Sequence, residues 1–196
     1  MKKQTFGILA TLLFVVQGAW ADKIVTNESE LRLAVQENQT VTLGNDITLN
    51  NSHLAIRGTT VTLDLNGHTL SRSMTAAASG GHVICIMADE YDKGALTITD
   101  SGSGGMITGG WAYEGGGIFV ESGGTLTISG GTITGNRAGE FGGGIHNEGT
   151  LTISGGSITD NTASSYGKDV YQNQGTTFNI QGRHVVDDVY LTYQQW

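Results

Sequence analysis

Two glutamates occupy the same place in two repeating segments of the chain. Glu121 lies three residues after Ile118, and Glu148 lies three residues after Ile145. If these segments stack as neighbouring strands about 4.8 Å apart, the carboxyl groups approach the ~5–5.5 Å separation of a retaining glycosidase. Such a pair could also recruit Ca²⁺. No third group is fixed beside them, so we interpret both as exposed turn residues and keep catalysis as the alternative.

Aromatic residues surround these glutamates, before and within the GGGI motifs. Aromatic rings beside carboxylates are typical of sugar-binding surfaces, because rings stack on sugar faces and polar groups bond to hydroxyls. The alternative is that the rings only cover glycine-rich strands. The predicted binding face comprises Trp111, Tyr113, Glu114, Phe119, Glu121, Glu140, Phe141, His146, Glu148, Tyr166 and Tyr171. We place Trp111, Tyr113 and Glu114 in a loop, and expect Phe119, His146 and Tyr171 to face outward.

Motifs for metal or cofactor chemistry are missing from the sequence. The histidines form no H-x-x-x-H or Cys–His spacing. Asp187-Asp188 resembles one element of the polygalacturonase site but has no partner motifs. We therefore expect no metal site and no cofactor, apart from the weak Ca²⁺ alternative. The chain is interpreted as a binding module rather than an enzyme.

These residues belong to a repeat. Gly124–Gly149 reads GTLTISGGTITGNRAGEFGGGIHNEG, and Gly149–Gly175 reads GTLTISGGSITDNTASSYGKDVYQNQG. Leu126 recurs 25 residues later as Leu151. Each unit holds three short alternating strands separated by glycine turns. The pattern predicts an all-β solenoid with three strands in each circuit of the chain, hereafter a rung.

Three elements of the sequence resemble a known family. TVTLDLNGHTLS at Thr60–Ser71, the LTISGGTITGN units, and GGGI at Gly115–Ile118 and Gly142–Ile145 are similar to bacterial right-handed parallel β-helix repeat proteins. This is the pectate-lyase-like superfold, in its glycine-rich branch of surface proteins and autotransporter passengers. The resemblance covers Val41–Leu191. It implies a right-handed parallel β-helix of about six rungs in one domain, 22–196, and implies little about activity, because lyases, hydrolases, adhesins and structural spikes share this fold.

The two ends of the predicted solenoid differ. Ser29–Gln36 has helical spacing, with Asn27 or Ser29 available as N-cap, so residues 22–38 are predicted to form a short α-helical cap. No second cap is evident before Trp196. Three interpretations stay open: a homodimer through the uncapped C-terminal strand edge, a cap made by Tyr193–Trp196, or a shortened relative of longer proteins.

The N-terminal residues predict export. Lys2 and Lys3 precede the apolar run Phe6–Val16, and Ala19-Trp20-Ala21 forms a cleavage site. Residues 1–21 are therefore predicted to be a signal peptide cleaved after Ala21. The apolar run is shorter than the ~20 residues of a membrane span, and no transmembrane segment is expected. The protein is expected to be secreted, periplasmic or on the cell surface.

Charge restricts the possible partners. Without Lys2 and Lys3, 8 basic residues remain against 18 acidic ones, a formal charge of −10. This excess argues against nucleic-acid binding, which needs basic residues to neutralise phosphates. Cys85 is the only cysteine, so no internal disulfide is possible. The expected partner is a glycan or a surface protein.

Two side-chain columns are predicted to be structural. Asn136 and Asn161 occupy equivalent places, where stacked amides can satisfy backbone groups. T-x-T pairs recur on the first strand of each rung and resemble the ice-binding face of some antifreeze proteins, but the high β propensity of threonine is the preferred explanation. The pairs are Thr40/Thr42, Thr60/Thr62, Thr125/Thr127 and Thr150/Thr152, with Ala95/Thr97 close to the pattern.

The sequence thus favours an exported, non-enzymatic, adhesin-like module that binds a glycan or a protein. The alternatives are a polysaccharide lyase or glycoside hydrolase, a structural fragment of a larger surface protein, and an ice-binding protein. The sequence alone leaves the identity of the ligand open.

Overall fold

The computed structural model describes residues 22–182 and 185–192. The predicted signal peptide and the proposed Tyr193–Trp196 cap lie outside the described residues. In chain order, the first elements are β1 (Lys23–Val25), α1 (Glu28–Ala34), β2 (Gln39–Leu43), β3 (Ile47–Thr48), β4 (Leu54–Arg57), β5 (Thr60–Asp64), β6 (Thr69–Ser71), β7 (Ile84–Met87), β8 (Ala95–Thr99), β9 (Met106–Thr108), β10 (Trp111–Glu114) and β11 (Ile118–Val120). They are followed by β12 (Thr125–Ile128), β13 (Thr132–Thr134), β14 (Arg137–Phe141), β15 (Ile145–Asn147), β16 (Thr150–Ile153), β17 (Ser157–Thr159), β18 (Thr162–Ala163), β19 (Val170–Gln172), β20 (Thr177–Ile180), β21 (Val185–Val186) and β22 (Val189–Leu191).

The strands form three long parallel sheets and one short sheet. The first sheet has the order β1-β2-β5-β8-β12-β16-β20, the second β3-β6-β9-β13-β17-β21, and the third β4-β7-β11-β15-β19-β22. Each rung adds one strand to each long sheet, an arrangement consistent with a parallel β-helix. A fourth sheet, β10-β14-β18, was not predicted from the sequence.

The N-terminal helix was predicted nearly in place. It spans Glu28–Ala34 rather than Ser29–Gln36, and the Asn27 side chain caps it by accepting a hydrogen bond from Glu30 N at 3.0 Å. Leu31 and Ala34 are fully buried in the same core cluster as the first strands. In the described part of the chain, no helix is long and apolar enough to cross a membrane.

The core consists of columns of identical or similar aliphatic residues. Leu126 pairs with Leu151 and Ile128 pairs with Ile153 on neighbouring strands, and all four side chains are fully buried. Because of the sequence repeat, each inward side chain packs on the equivalent residue of the next rung, and the interior is closely packed.

The threonine column differs from the prediction in its register. Thr40 pairs with Thr62, and Thr42 pairs with Asp64. The first two T-x-T pairs are therefore offset by two residues, a shift that keeps every side chain on the same face. The resulting outward column runs from Thr40 through Thr62, Thr97, Thr127 and Thr152 to Asn179.

A buried amide column links three rungs, as the asparagine positions indicate. Asn161 Nδ2 donates to Ile133 O at 2.9 Å and to Asp169 Oδ1 at 2.9 Å. Asn161 Oδ1 accepts from both the backbone N and the Nδ2 of Asn136 at 3.0 Å. Burial raises the pKa of Asp169, and the hydrogen bonds from Asn161 oppose that shift. The column holds each rung to its neighbour through groups that water cannot reach.

We expect Asn161→Ala to lower the free energy of unfolding by roughly 2–4 kcal/mol, because it leaves the buried Asn136 N without an acceptor and removes the amide donor to Ile133 O and Asp169 Oδ1. Urea unfolding would measure the change. Asn50→Ala is the matched control, since the Asn50 amide bonds only at the exposed surface, to Glu28 and Thr48. Equal losses in the two variants would show that the buried column adds no stability.

Candidate functional site

Glycines in the GGGI motifs make the chain double back. Gly115 and Gly142 have φ values of 62° and 67°, in the left-handed region. A Cβ on Gly142 would lie 2.5 Å from Ile145 O and 2.8 Å from His146 Cα, which no side chain can tolerate. Only glycine permits this turn. It brings the residue before the motif beside the strand after it.

The segment before the first GGGI motif is a strand rather than the predicted loop. Trp111–Glu114 is β10, and Trp111 pairs with Arg137 of β14. Gly110 N donates to the buried Asn136 Oδ1 at 3.1 Å, which fixes the start of the strand. Pairing continues at the turn, so Glu114, Phe141 and Tyr166 form one column across three rungs.

A second column of rings runs along the third sheet. Phe119, His146, Tyr171 and Tyr190 are successive partners in the parallel ladder. Their ring centroids are 5.2, 4.9 and 5.5 Å apart in that order. Because parallel strands lie about 4.8 Å apart, these four successive rungs contribute one ring each to a continuous stack.

The glycine turn joins the two columns. Phe141 stacks on Tyr171 at 4.7 Å, and Tyr166 stacks on Tyr190 at 4.4 Å. At the other end, His82 stacks on Phe119 at 5.4 Å and His53 follows at 5.3 Å. We define the aromatic ladder as a connected set of eight rings, each of which contacts at least one other ring of the set. Its members are His53, His82, Phe119, Phe141, His146, Tyr166, Tyr171 and Tyr190.

Three members of the ladder were missed from the sequence. Tyr190 carries a visible signal, because Asp169-Val170-Tyr171 recurs as Asp188-Val189-Tyr190. His53 and His82 each immediately precede an apolar residue, Leu54 or Val83, but they lie in rungs outside the 25-residue repeat. No alignment of repeats could place them in the same column.

His146 is buried, contrary to the expectation that it faces open solvent. Its side chain belongs to the outward column, yet it is only 2% exposed because Phe119, Phe141 and Tyr171 cover it. Neither ring nitrogen has a hydrogen-bond partner, and Nε2 lies 3.6 Å from Glu148 Oε1.

Buried His146 and half-buried His82 are both neutral at pH 7. Burial lowers the pKa of His146 to about 4. Burial, and then repulsion by His53, also lowers the pKa of His82 to about 4. His82 Nδ1 donates to the carbonyl oxygens of Glu114 and Gly115, each at 3.1 Å, which fixes the ring against the glycine turn.

Glu121 and Glu148 occupy equivalent places one rung apart. Glu121 N donates to Ile86 O, and Glu148 N donates to Val120 O. Their carboxylates have different partners. Glu121 Oε2 accepts from Ala88 N at 2.9 Å, whereas Glu148 Oε1 accepts from Asn173 Nδ2 at 3.3 Å.

Glu148 groups with two other glutamates at the border of the ladder. Partial burial raises the pKa of Glu114, and the negative charges of Glu148 and Glu140 raise it further. The pKa of Tyr171 is also raised, first by burial, then by Tyr190, and then by the negative charges of Glu114 and Glu148. We call Glu114, Glu140 and Glu148 the acidic rim.

A polar cleft of about 390 Å³ adjoins Glu148. It is lined by three stacked turns, Ser122–Gly123, Glu148–Thr150 and Asn173–Thr177. The lining offers amide and hydroxyl groups from Asn173, Gln174 and Thr176. Glu148 belongs to both features, since its carboxylate contacts His146 on the ladder side and Asn173 on the cleft side.

Two predicted binding residues lie apart from the ladder. The Arg137 guanidinium covers the Trp111 ring at 5.2 Å from its centroid. Tyr113 is 56% exposed and packs over Gly139. Among the described aromatic residues, neither ring contacts a member of the ladder. The predicted face is therefore divided between β10 and the ladder.

Within residues 22–182 and 185–192, no three His, Cys, Asp or Glu side chains are grouped to hold a metal ion. Comparison of the chain with protein-family models, curated proteins and solved structures gave no match. The function therefore has to be inferred from the fold and from the geometry of the ladder, the rim and the cleft.

Proposed function

We propose that the chain is an exported, non-enzymatic, adhesin-like binding module whose ligand is a glycan. Its scaffold is a right-handed parallel β-helix of the pectate-lyase-like superfold. The observation that carries this proposal is the aromatic ladder, in which rings of successive rungs stack beside carboxylates and amides. A ligand with repeating rings would meet the edges of these rings along the sheet and the exposed tyrosines where the stack ends.

The accessible part of the ladder lies at its C-terminal end. Tyr166 is 52% exposed and Tyr190 is 36% exposed, and their rings stack on each other. Exposed tyrosines combine an apolar face for sugar C–H groups with a hydroxyl for hydrogen bonding. The polar cleft beside Glu148 supplies further amide and hydroxyl groups, the usual partners of sugar hydroxyls.

We expect Tyr166→Ala and Tyr190→Ala each to weaken glycan binding by about five- to tenfold, because each removes one stacked ring face. Residues 22–196 would be incubated on an array of plant, bacterial and host glycans, with retention and release of reducing ends scored together. Tyr91→Ala is the matched control, since Tyr91 is 86% exposed and lies outside the ladder.

Each outcome of the array has a distinct meaning. Retention without release, lost in the ladder variants and kept in Tyr91→Ala, supports the proposal. Release of reducing ends would indicate a lyase or hydrolase and would direct attention to Glu121 and Glu148. If no glycan is retained, a protein partner or a structural role replaces the glycan proposal.

A further inference from the structure

The acidic rim lacks a counter-charge. Among the described residues, no Lys or Arg side chain forms an ion pair with Glu114, Glu140 or Glu148. His146 Nε2 lies 3.6 Å from Glu148 Oε1, but its lowered pKa of about 4 keeps this ring neutral at pH 7. Like charges held together without a counter-ion disfavour their own ionised forms, and a bound cation relieves this.

His146 gives a second, independent indication of a ligand. Buried polar groups are nearly always hydrogen-bonded, yet both nitrogens of this 2% exposed ring lack a partner. Nε2 is directed at Glu148 Oε1, and the distance of 3.6 Å is too long for a hydrogen bond. A donor group that binds at Glu148 would enter beside an unsatisfied nitrogen.

Aromatic rings complete this environment. Phe141, next to Glu114 in its column, stacks on Tyr171 at 4.7 Å. Such rings partly desolvate the neighbouring carboxylates, which strengthens their pairing with an ammonium group. Carboxylates, aromatic rings and amides thus lie side by side midway along the ladder, beside His146 and two rungs before the exposed Tyr190.

We propose that the acidic rim and the adjoining rings recognise the ammonium groups of a glycan built from amino sugars with free amino groups. This inference rests on the proposed glycan-binding function and names its ligand class. The exposed Tyr166 and Tyr190 contact the sugars, Glu114 and Glu148 pair with ammonium groups, and the polar cleft accepts the remaining hydroxyls.

Three hexasaccharides with the same β-1,4 backbone test this directly: fully deacetylated chitohexaose, its N-acetylated form and cellohexaose. Calorimetry at mildly acidic pH and low salt should show the deacetylated hexamer binding about tenfold more tightly than the other two, as expected for a few partly desolvated charge pairs. Glu114→Gln with Glu148→Gln should abolish the preference. Glu37→Gln removes one exposed charge elsewhere and should leave it unchanged.

The possible results separate the two proposals. Equal affinity for all three hexamers would overturn the cation inference and leave glycan binding intact. No binding of any hexamer would overturn the amino-sugar inference, and the glycan array would then decide whether glycan binding itself stands. Hexalysine binding as tightly as the deacetylated hexamer would show that charge alone is recognised, against an amino-sugar ligand. Glu140→Gln, at an exposed position, provides a second variant if the double substitution impairs folding, and it should reduce the preference in part.

Discussion

Gly142→Ala is expected to destabilise the protein by more than about 3 kcal/mol, one of the largest effects of any single methyl group in this chain. Two causes act together. The φ of 67° is unfavourable for an L-residue by about 1–2 kcal/mol, and the new Cβ would lie 2.5 Å from Ile145 O. Relief of this contact requires the glycine turn to separate from the backbone of Ile145 and His146, which would displace the neighbouring Phe141.

Gly175→Ala is the control that separates the two causes. Gly175 has a φ of 76°, but a Cβ there would meet nothing within 4 Å. Its cost should therefore be the backbone term alone, about 1–2 kcal/mol. Chemical unfolding of both variants gives the comparison. If Gly142→Ala cost no more than Gly175→Ala, the glycine turn would have room to relax, and the tight joining of the two ring columns would be wrong.

The sequence predicts the stacking but not every register. Inward residues such as Leu126 and Leu151 are visible because period-2 alternation and a 25-residue repeat agree. The first rungs have a different length, so the offset between Thr40 and Thr62 could not be found by matching T-x-T pairs. Alternation fixes which face a residue occupies and leaves shifts of two residues undetermined.

The sequence predicted many residues of the candidate site but not how their side chains contact one another. The aromatic residues around GGGI predicted a face that includes Phe141 and Tyr171. Their ring centroids lie 4.7 Å apart because the left-handed Gly142, directly after Phe141, turns the chain back towards the third sheet. The sequence pattern does not give the direction of this turn. The burial of His146 has the same origin, because rings from two columns close over it. The segment around Ala112 was predicted to be a loop because glycines, which usually indicate turns, flank this four-residue strand on both sides.

Acidification from pH 7 to about pH 4 should remove a large part of the stability through two histidines. The folded state holds the pKa of His82 and of His146 near 4 instead of 6.5. Since the folded pKa values are depressed, their stabilising contribution is fully present above pH 6.5 and is lost as the pH falls towards 4. Each shift corresponds to roughly 3 kcal/mol.

Carboxylates also change the stability at acidic pH, some increasing it and others decreasing it as the pH falls. Glu114 and Asp169 have raised pKa values, so their protonation on acidification favours the folded state and partly offsets the histidines. Glu28 and Asp64 have lowered pKa values, so the stability they contribute is present above their ordinary pKa values of 4.5 and 3.8 and is lost as the pH falls through their folded values. The window between pH 6.5 and about 5 is therefore governed mainly by the ladder.

Urea unfolding at a series of pH values measures this contribution. His146→Phe keeps an aromatic ring between Phe119 and Tyr171 but cannot be protonated, so its stability should fall less steeply between pH 6.5 and 5. His68→Gln is the control, because His68 lies at the surface near Asp46 and outside the ladder. A profile for His146→Phe that parallels the unsubstituted protein would show that His146 is protonated without cost in the folded state. The rings over it would then have to open readily, and the ladder could not hold its exposed tyrosines in the fixed positions that glycan binding requires.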